Sequence, residues 1–113
     1  ERADVVSLHC PLVPETEKII NATTLGMMKN SGIIINCGRG GLVDEVALSQ
    51  ALKSGKIMAA GIDVMQQEPP RDGSPLIGCR NCYITPHIAW ATKEARVRLL
   101  KIAIANCKAF IDR

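Results

Sequence analysis

Residues 32–64, "GIIINCGRGGLVDEVALSQALKSGKIMAAGIDV", decide the fold. The stretch opens on "GIIINC" at 32–37 and closes on "MAAGIDV" at 58–64, two short runs rich in apolar residues that read as buried strands. Between them Asp44 can cap a helix, Val46, Ala47, Leu48, Ala51 and Leu52 supply its inward stripe, and Gly55 can end it in a left-handed conformation. Strand, helix, strand in about 30 residues is a crossover unit, and continuous apolar strands joined by crossovers imply a parallel sheet covered on both faces.

Working outward, "ADVVSL" at 3–8 reads as a further strand before this unit and "CYITP" at 82–86 as one after it. A short helix is expected around Thr23 to Met28, capped by Thr23 or Thr24, and a long helix over 91–112. In the long helix Val97, Leu100, Ile104, Cys107 and Ile111 recur at spacings of 3 and 4, the pattern of a core-facing stripe. The segment "QQEPPRDGSPLIG" at 66–78 is a Pro- and Gly-rich loop, of a length that is often functional. The fold class is α/β, and because the chain opens on a strand, it reads as the second half of a Rossmann-type sheet with flanking helices. Residues 1–113 are then a partial dinucleotide-binding domain, whose first βαβ half and substrate domain are expected elsewhere.

Composition narrows the function. With 47% hydrophobic and 22% charged residues the chain is an ordinary globular domain. The net charge of +3 comes from 14 basic and 11 acidic residues without a run of Lys and Arg, which argues against nucleic acid. No apolar run approaches the roughly 20 residues that span a bilayer, so no membrane partner is expected. Five cysteines, an odd number, in a chain with this much core-forming sequence point to reduced thiols and a cytoplasmic setting. Cys79 and Cys82 form a lone C-x2-C, short of the four ligands a structural zinc requires, and no metal is expected.

In an open parallel sheet, ligands bind beyond the carboxyl ends of the strands. Arg39 follows the strand at 32–37, Asp63 ends the strand at 58–64 with Glu68 just past it, and His87 follows the strand at 82–86. Taken singly each has an ordinary reading: Arg39 as a surface arginine in a turn, His87 and Glu68 as loop residues, Asp63 as a local cap, Trp90 as an anchor of the long helix. Together, at three strand tips, they can converge on one cleft. Glycines at 38, 40 and 41 let the backbone turn sharply there and leave Arg39 offering a planar two-donor fork, which suits a carboxylate.

Four blocks in order, "ADVVSLHCPLVPET", "MKNSGIIINCGRGGLVDE", "GIDVMQQEPP" and "ITPHIAWAT", resemble the NAD-dependent D-isomer-specific 2-hydroxyacid dehydrogenases over nearly the whole chain. "PHIAWAT" is most similar to the glycerate dehydrogenase or hydroxypyruvate reductase branch. The resemblance implies catalytic roles for Arg39, which would hold the carboxylate and carbonyl of a small 2-oxo acid, for His87 as the acid/base and for Glu68 as its partner. It further implies that Cys10 lies toward the adenosine side of the cofactor, that Cys37 and Gly38 give backbone contacts, that Asp63 meets the nicotinamide amide, and that Ala89 and Trp90 pass the nicotinamide. A homodimer is implied for the whole protein. Met65 stands where the family often has Phe, and the fingerprint G-x-G-x-x-G is absent from the 113 residues. The choice between NAD and NADP is left open, because the residue that reads the ribose lies about 20 residues past that fingerprint. A non-catalytic NAD-sensing or partner-binding module on the same scaffold is the alternative.

Overall fold

Apolar strands of four residues are too short to hide their backbone alone, so they are found side by side. The computed structural model describes residues 2–112. Strands β1 (Val5–Leu8), β2 (Ile33–Asn36), β3 (Ala59–Ile62) and β4 (Cys82–Ile84) form one sheet in sequential order. Every pairing is parallel, with Leu8 beside Asn36, Asn36 beside Ile62, and Ile62 beside Ile84. All four carboxyl ends therefore point the same way, and the expected parallel α/β architecture is what is found.

The connections differ in build. Helix α1 (Ala22–Gly26) lies in the first crossover, and a 3-10 turn (Gly40–Leu42) followed by α2 (Glu45–Lys53) makes up the second. Asp44 caps α2 through the N–H groups of Val46 and Ala47, and Gly55 follows the helix at φ +71°, as its sequence predicts. The cap of α1 is Asn21 rather than Thr23 or Thr24. Its Oδ1 accepts from both of their N–H groups, while Thr24 Oγ1 accepts from the Asn21 N–H, a reciprocal box that starts the helix earlier than expected. The third crossover, 63–81, has no α-helix; Leu76 and Cys79 from its loop are buried in the same cluster as Ile62 and Leu48.

One face of the sheet is covered. Leu8, Ile34, Ala60 and Ile62 pack with Leu25 of α1 and Leu48, Ala51 and Leu52 of α2. The expectation that each strand is buried on both faces is not met, since burial alternates along β2 and β3 and the other face, with Val5, Ile33, Ile35, Ala59 and Tyr83, is half-buried or exposed. Sequential crossovers that step in one direction with one hand place their helices on a single side.

The last helix, α3 (Lys93–Ile111), is capped by Thr92 and has no buried residue. Its predicted core stripe is corrected accordingly: Leu100 is 61% and Ile104 54% exposed. A 3–4 spacing establishes that a helix has an apolar side; it does not establish that the same chain covers that side. No described helix is long and apolar enough to cross a membrane.

Candidate active site

The site begins with a buried amide. Asn36, the last residue of β2, is fully buried, so its side chain must find partners within the protein. Its Oδ1 accepts from the Gly38 N–H at 3.0 Å, and its Nδ2 donates to the Arg39 carbonyl at 2.9 Å. One side chain thus shapes the turn that presents Arg39. Arg39 is exposed, and Nη1 donates to the Gly38 carbonyl at 2.8 Å, leaving most of its five N–H donors free for a ligand. Gly40 is required beside it: a Cβ there would stand 2.0 Å from the Met65 carbonyl carbon. Arg39, Gly38, His9 and Cys10 line a cavity of about 660 Å³ beyond the tips of β1 and β2.

Asp63 organises the next two strand tips. It is 4% exposed, and its carboxylate accepts from the Thr85 hydroxyl, the Ile88 N–H at 2.8 Å and the Ala89 N–H at 2.9 Å. Burial works against its charge, but these three donors, with the nearby His87, outweigh burial and hold its pKa below the usual aspartate value. The residues after β4 are thereby wrapped around Asp63, with His87 in the left-handed region at φ +55°, an uncommon conformation for a residue other than glycine. The His87 N–H points back to the carbonyls of Asp63 at 2.9 Å and Thr85 at 3.0 Å. Trp90 Nε1 donates to the His87 carbonyl at 2.8 Å. Constrained backbone of this kind concentrates at functional sites.

His87 is held at its ring as well. Nδ1 lies 2.7 Å from Glu68 Oε2, and Glu68 Oε1 accepts from the Met65 N–H at 2.8 Å. The hydrogen bond to His87, then that from Met65, lower the Glu68 pKa despite partial burial. With Nδ1 engaged, Nε2 is the ring atom without a protein partner among the described residues. Glu68 and His87 line a cavity of about 590 Å³ together with Met65, Pro69, Ile84 and Thr85.

The structure therefore joins Glu68, His87, Asp63, Ala89 and Trp90 into one hydrogen-bonded group. Arg39, Gly38 and Cys10 lie on the same edge of the sheet in a separate cavity, and exposed Cys37 lines neither. The single shared pocket expected for Arg39, Glu68 and His87 is, within these residues, two neighbouring ones. The Gly38 backbone is engaged internally on both sides, and Asp63 has three of its roughly four acceptor positions filled. Among the described residues no group of three or more His, Cys, Asp or Glu is placed to hold a metal. All five cysteines are free, and burial, with Cys79 and Glu45 nearby, pushes the Cys82 thiol up to about 11.

Sequence reasoning passed over Asn36, Thr85, Glu45 and Ser74. Asn36 and Thr85 carried a usable signal, a polar residue closing an otherwise apolar strand, where a buried side chain must be satisfied and so directs the following turn.

A parallel sheet with its polar side chains gathered beyond the carboxyl tips is the arrangement in which open α/β domains bind their ligands. The chain belongs to the D-isomer specific 2-hydroxyacid dehydrogenase family, residues 1–89 matching that family's NAD binding domain. It is 51% identical over 110 residues to a hydroxypyruvate reductase of Blautia hydrogenotrophica, covering 97% of this chain and 34% of that protein. Over 112 residues it is 51% identical to a glycerate dehydrogenase of Methylorubrum extorquens, covering 97% and 36% respectively. The NAD-complexed D-isomer specific 2-hydroxyacid dehydrogenase of Lactobacillus delbrueckii ssp. bulgaricus superposes with a TM-score of 0.85 at 36% identity, over 97% of this chain and 37% of that one. The chain thus spans about a third of the length of the relatives it matches.

Proposed function

We propose that the whole protein reduces a small 2-oxo acid of the hydroxypyruvate or glyoxylate type to the D-2-hydroxy acid, and that residues 1–113 carry its proton-delivering pair and its substrate-binding cation. The observation that carries this reading is the 2.7 Å contact between His87 Nδ1 and Glu68 Oε2 at the same sheet edge as Arg39. A carboxylate on Nδ1 fixes the orientation of the ring and leaves Nε2 to exchange a proton with a ligand in the cleft. Arg39 offers a two-donor fork that binds the substrate carboxylate, fixes the reacting carbon and stabilises negative charge developing on the carbonyl oxygen. Bound NAD(P)H supplies the hydride.

The residues present fit the cofactor in chemistry. The cavity beyond β1 and β2 sits where ligands of open parallel sheets bind, and Asp63 retains an acceptor position for a carboxamide N–H. Cys10, Cys37, Gly38, Asp63, Ala89 and Trp90 are the residues we assign to holding it. A homodimer is the proposed assembly, and the five free cysteines support a cytoplasmic setting.

The test is NADH oxidation by the whole protein with a panel of 2-oxo acids, wild type against Arg39→Gln. The reading expects turnover with hydroxypyruvate or glyoxylate, and a variant whose kcat/KM falls by about 10²-fold or more through lost charge-assisted bonds and transition-state stabilisation. Tight dinucleotide binding without turnover of any 2-oxo acid would replace it with the non-catalytic module.

A further inference from the structure

Glu45 is a buried carboxylate that the chemistry above does not use. It is the first residue of α2 and 7% exposed, and among the described residues it has no Lys, Arg or His within ion-pair distance. An acidic side chain buried without a cation depends on hydrogen bonds to be tolerated. Each of its oxygens receives one, from two places in one loop. Oε1 accepts from the Gln66 N–H at 2.7 Å, and Oε2 accepts from the Ser74 hydroxyl at 2.6 Å. The N-terminal position on α2 supplies further support, since the helix dipole favours negative charge there.

These two attachments bracket the segment that carries Glu68. Gln66 is two residues before it and Ser74 six residues after it, so the carboxylate pins both ends of the loop that delivers Glu68 to His87. The near end is fastened twice more. Gln66 Nε2 donates to the Val43 carbonyl at 2.6 Å, and the Met65–Gln66 peptide lies directly against Gly40, where a Cβ would meet the Gln66 nitrogen at 2.4 Å. Gly40 adjoins Arg39. The loop holding Glu68 and the turn holding Arg39 are thus fastened to each other, although Arg39 and His87 line different cavities.

We propose that Glu45 is a positioning residue, which through Gln66 and Ser74 holds Glu68 against His87 at a fixed place relative to Arg39. The inference rests on the proton-delivery reading and adds a residue that touches neither substrate nor cofactor. It predicts that loosening the latch harms turnover only through Glu68. Glu45→Ala removes both acceptors; Ser74→Ala, at a half-buried loop position, releases the far end alone.

The experiment measures kcat and KM for the 2-oxo acid in the whole protein for both variants, alone and combined with Glu68→Gln. Since a misplacement of about 1 Å can cost as much as 10²-fold, Glu45→Ala is expected to lose roughly tenfold and Ser74→Ala several-fold, in kcat with KM held within about twofold. In the Glu68→Gln background each loss shrinks to under about twofold, the non-additivity of residues acting as one unit. Equal losses with and without Glu68→Gln, or no loss in either single variant, overturn the positioning role and leave the Glu68 assignment standing. Wild-type turnover by Glu68→Gln itself removes both.

Discussion

Two carboxylates in this site have pKa values below the ordinary range, and the same sign of linkage applies to both. A group whose folded value is depressed contributes stability that is complete above its unfolded value, about 4, and is lost as pH falls through the folded value. The chain is therefore expected to weaken as pH drops below about 4, and Glu68→Gln to flatten that dependence by losing stability at pH 7 while changing little at pH 3. Urea midpoints at pH 7 and pH 3 check this; an unchanged slope in the variant would show that the Glu68–His87 bond does not persist in solution. Asp63→Asn is the harsher change. An amide offers one acceptor oxygen and two donors where the Thr85 hydroxyl and two N–H groups all need acceptors, a loss of about 1–3 kcal/mol. Thermal unfolding of the variant reads it directly. Of these residue-scale facts, the placement of Arg39, Glu68 and His87 just past three neighbouring strands of one sheet was legible from sequence position. The left-handed backbone of His87 and the triple role of Asp63 were not, because they arise when residues 63 and 85 to 89 meet across the sheet.

At the scale of elements, the legible parts are those whose period or punctuation is local. The Asp44 cap, the stripe of Ala47, Leu48, Ala51 and Leu52 and the Gly55 stop were readable because each acts within a few residues, whereas Val46, expected in that stripe, turns outward and is 57% exposed. The cap of α1 was misassigned among neighbouring polar residues, since Asn21, Thr23 and Thr24 each have a capping side chain and only the geometry chooses. The two helices after β2 now make opposite demands. Leu48 of α2 is fully buried, and Leu48→Ala is expected to cost about 2–5 kcal/mol. Leu100 of α3 is exposed, and Leu100→Ala in this chain is expected to cost less than about 0.5 kcal/mol. Denaturant titration of both variants separates the cases; a large loss at Leu100 would mean that α3 packs on the sheet after all.

The whole molecule is a sheet covered on one face, with a helix whose apolar side is exposed, in a chain about a third the length of its relatives. Tyr83, at 71% exposure, shows how open the second face is. Fold class was readable because alternating strands and helices leave few parallel arrangements. One-sided coverage was not, because an apolar strand records that it will be buried without recording by which segment. The glycine fingerprint that would bind a pyrophosphate is not among residues 1–113, so this chain alone is expected to bind NADH with a Kd weaker than roughly 0.1 mM. Fluorescence titration with NADH tests that, and micromolar binding would contradict it. The central claim is that Glu68 and His87 together deliver the proton in a hydride-transfer reaction. Its most direct measurement is the NADH-dependent reduction of hydroxypyruvate and glyoxylate by the whole protein carrying His87→Gln, with NADH affinity measured alongside. Loss of the positioned acid is expected to lower kcat by about 10²–10⁴-fold while NADH still binds; kcat within about twofold of wild type with both acids would contradict the account.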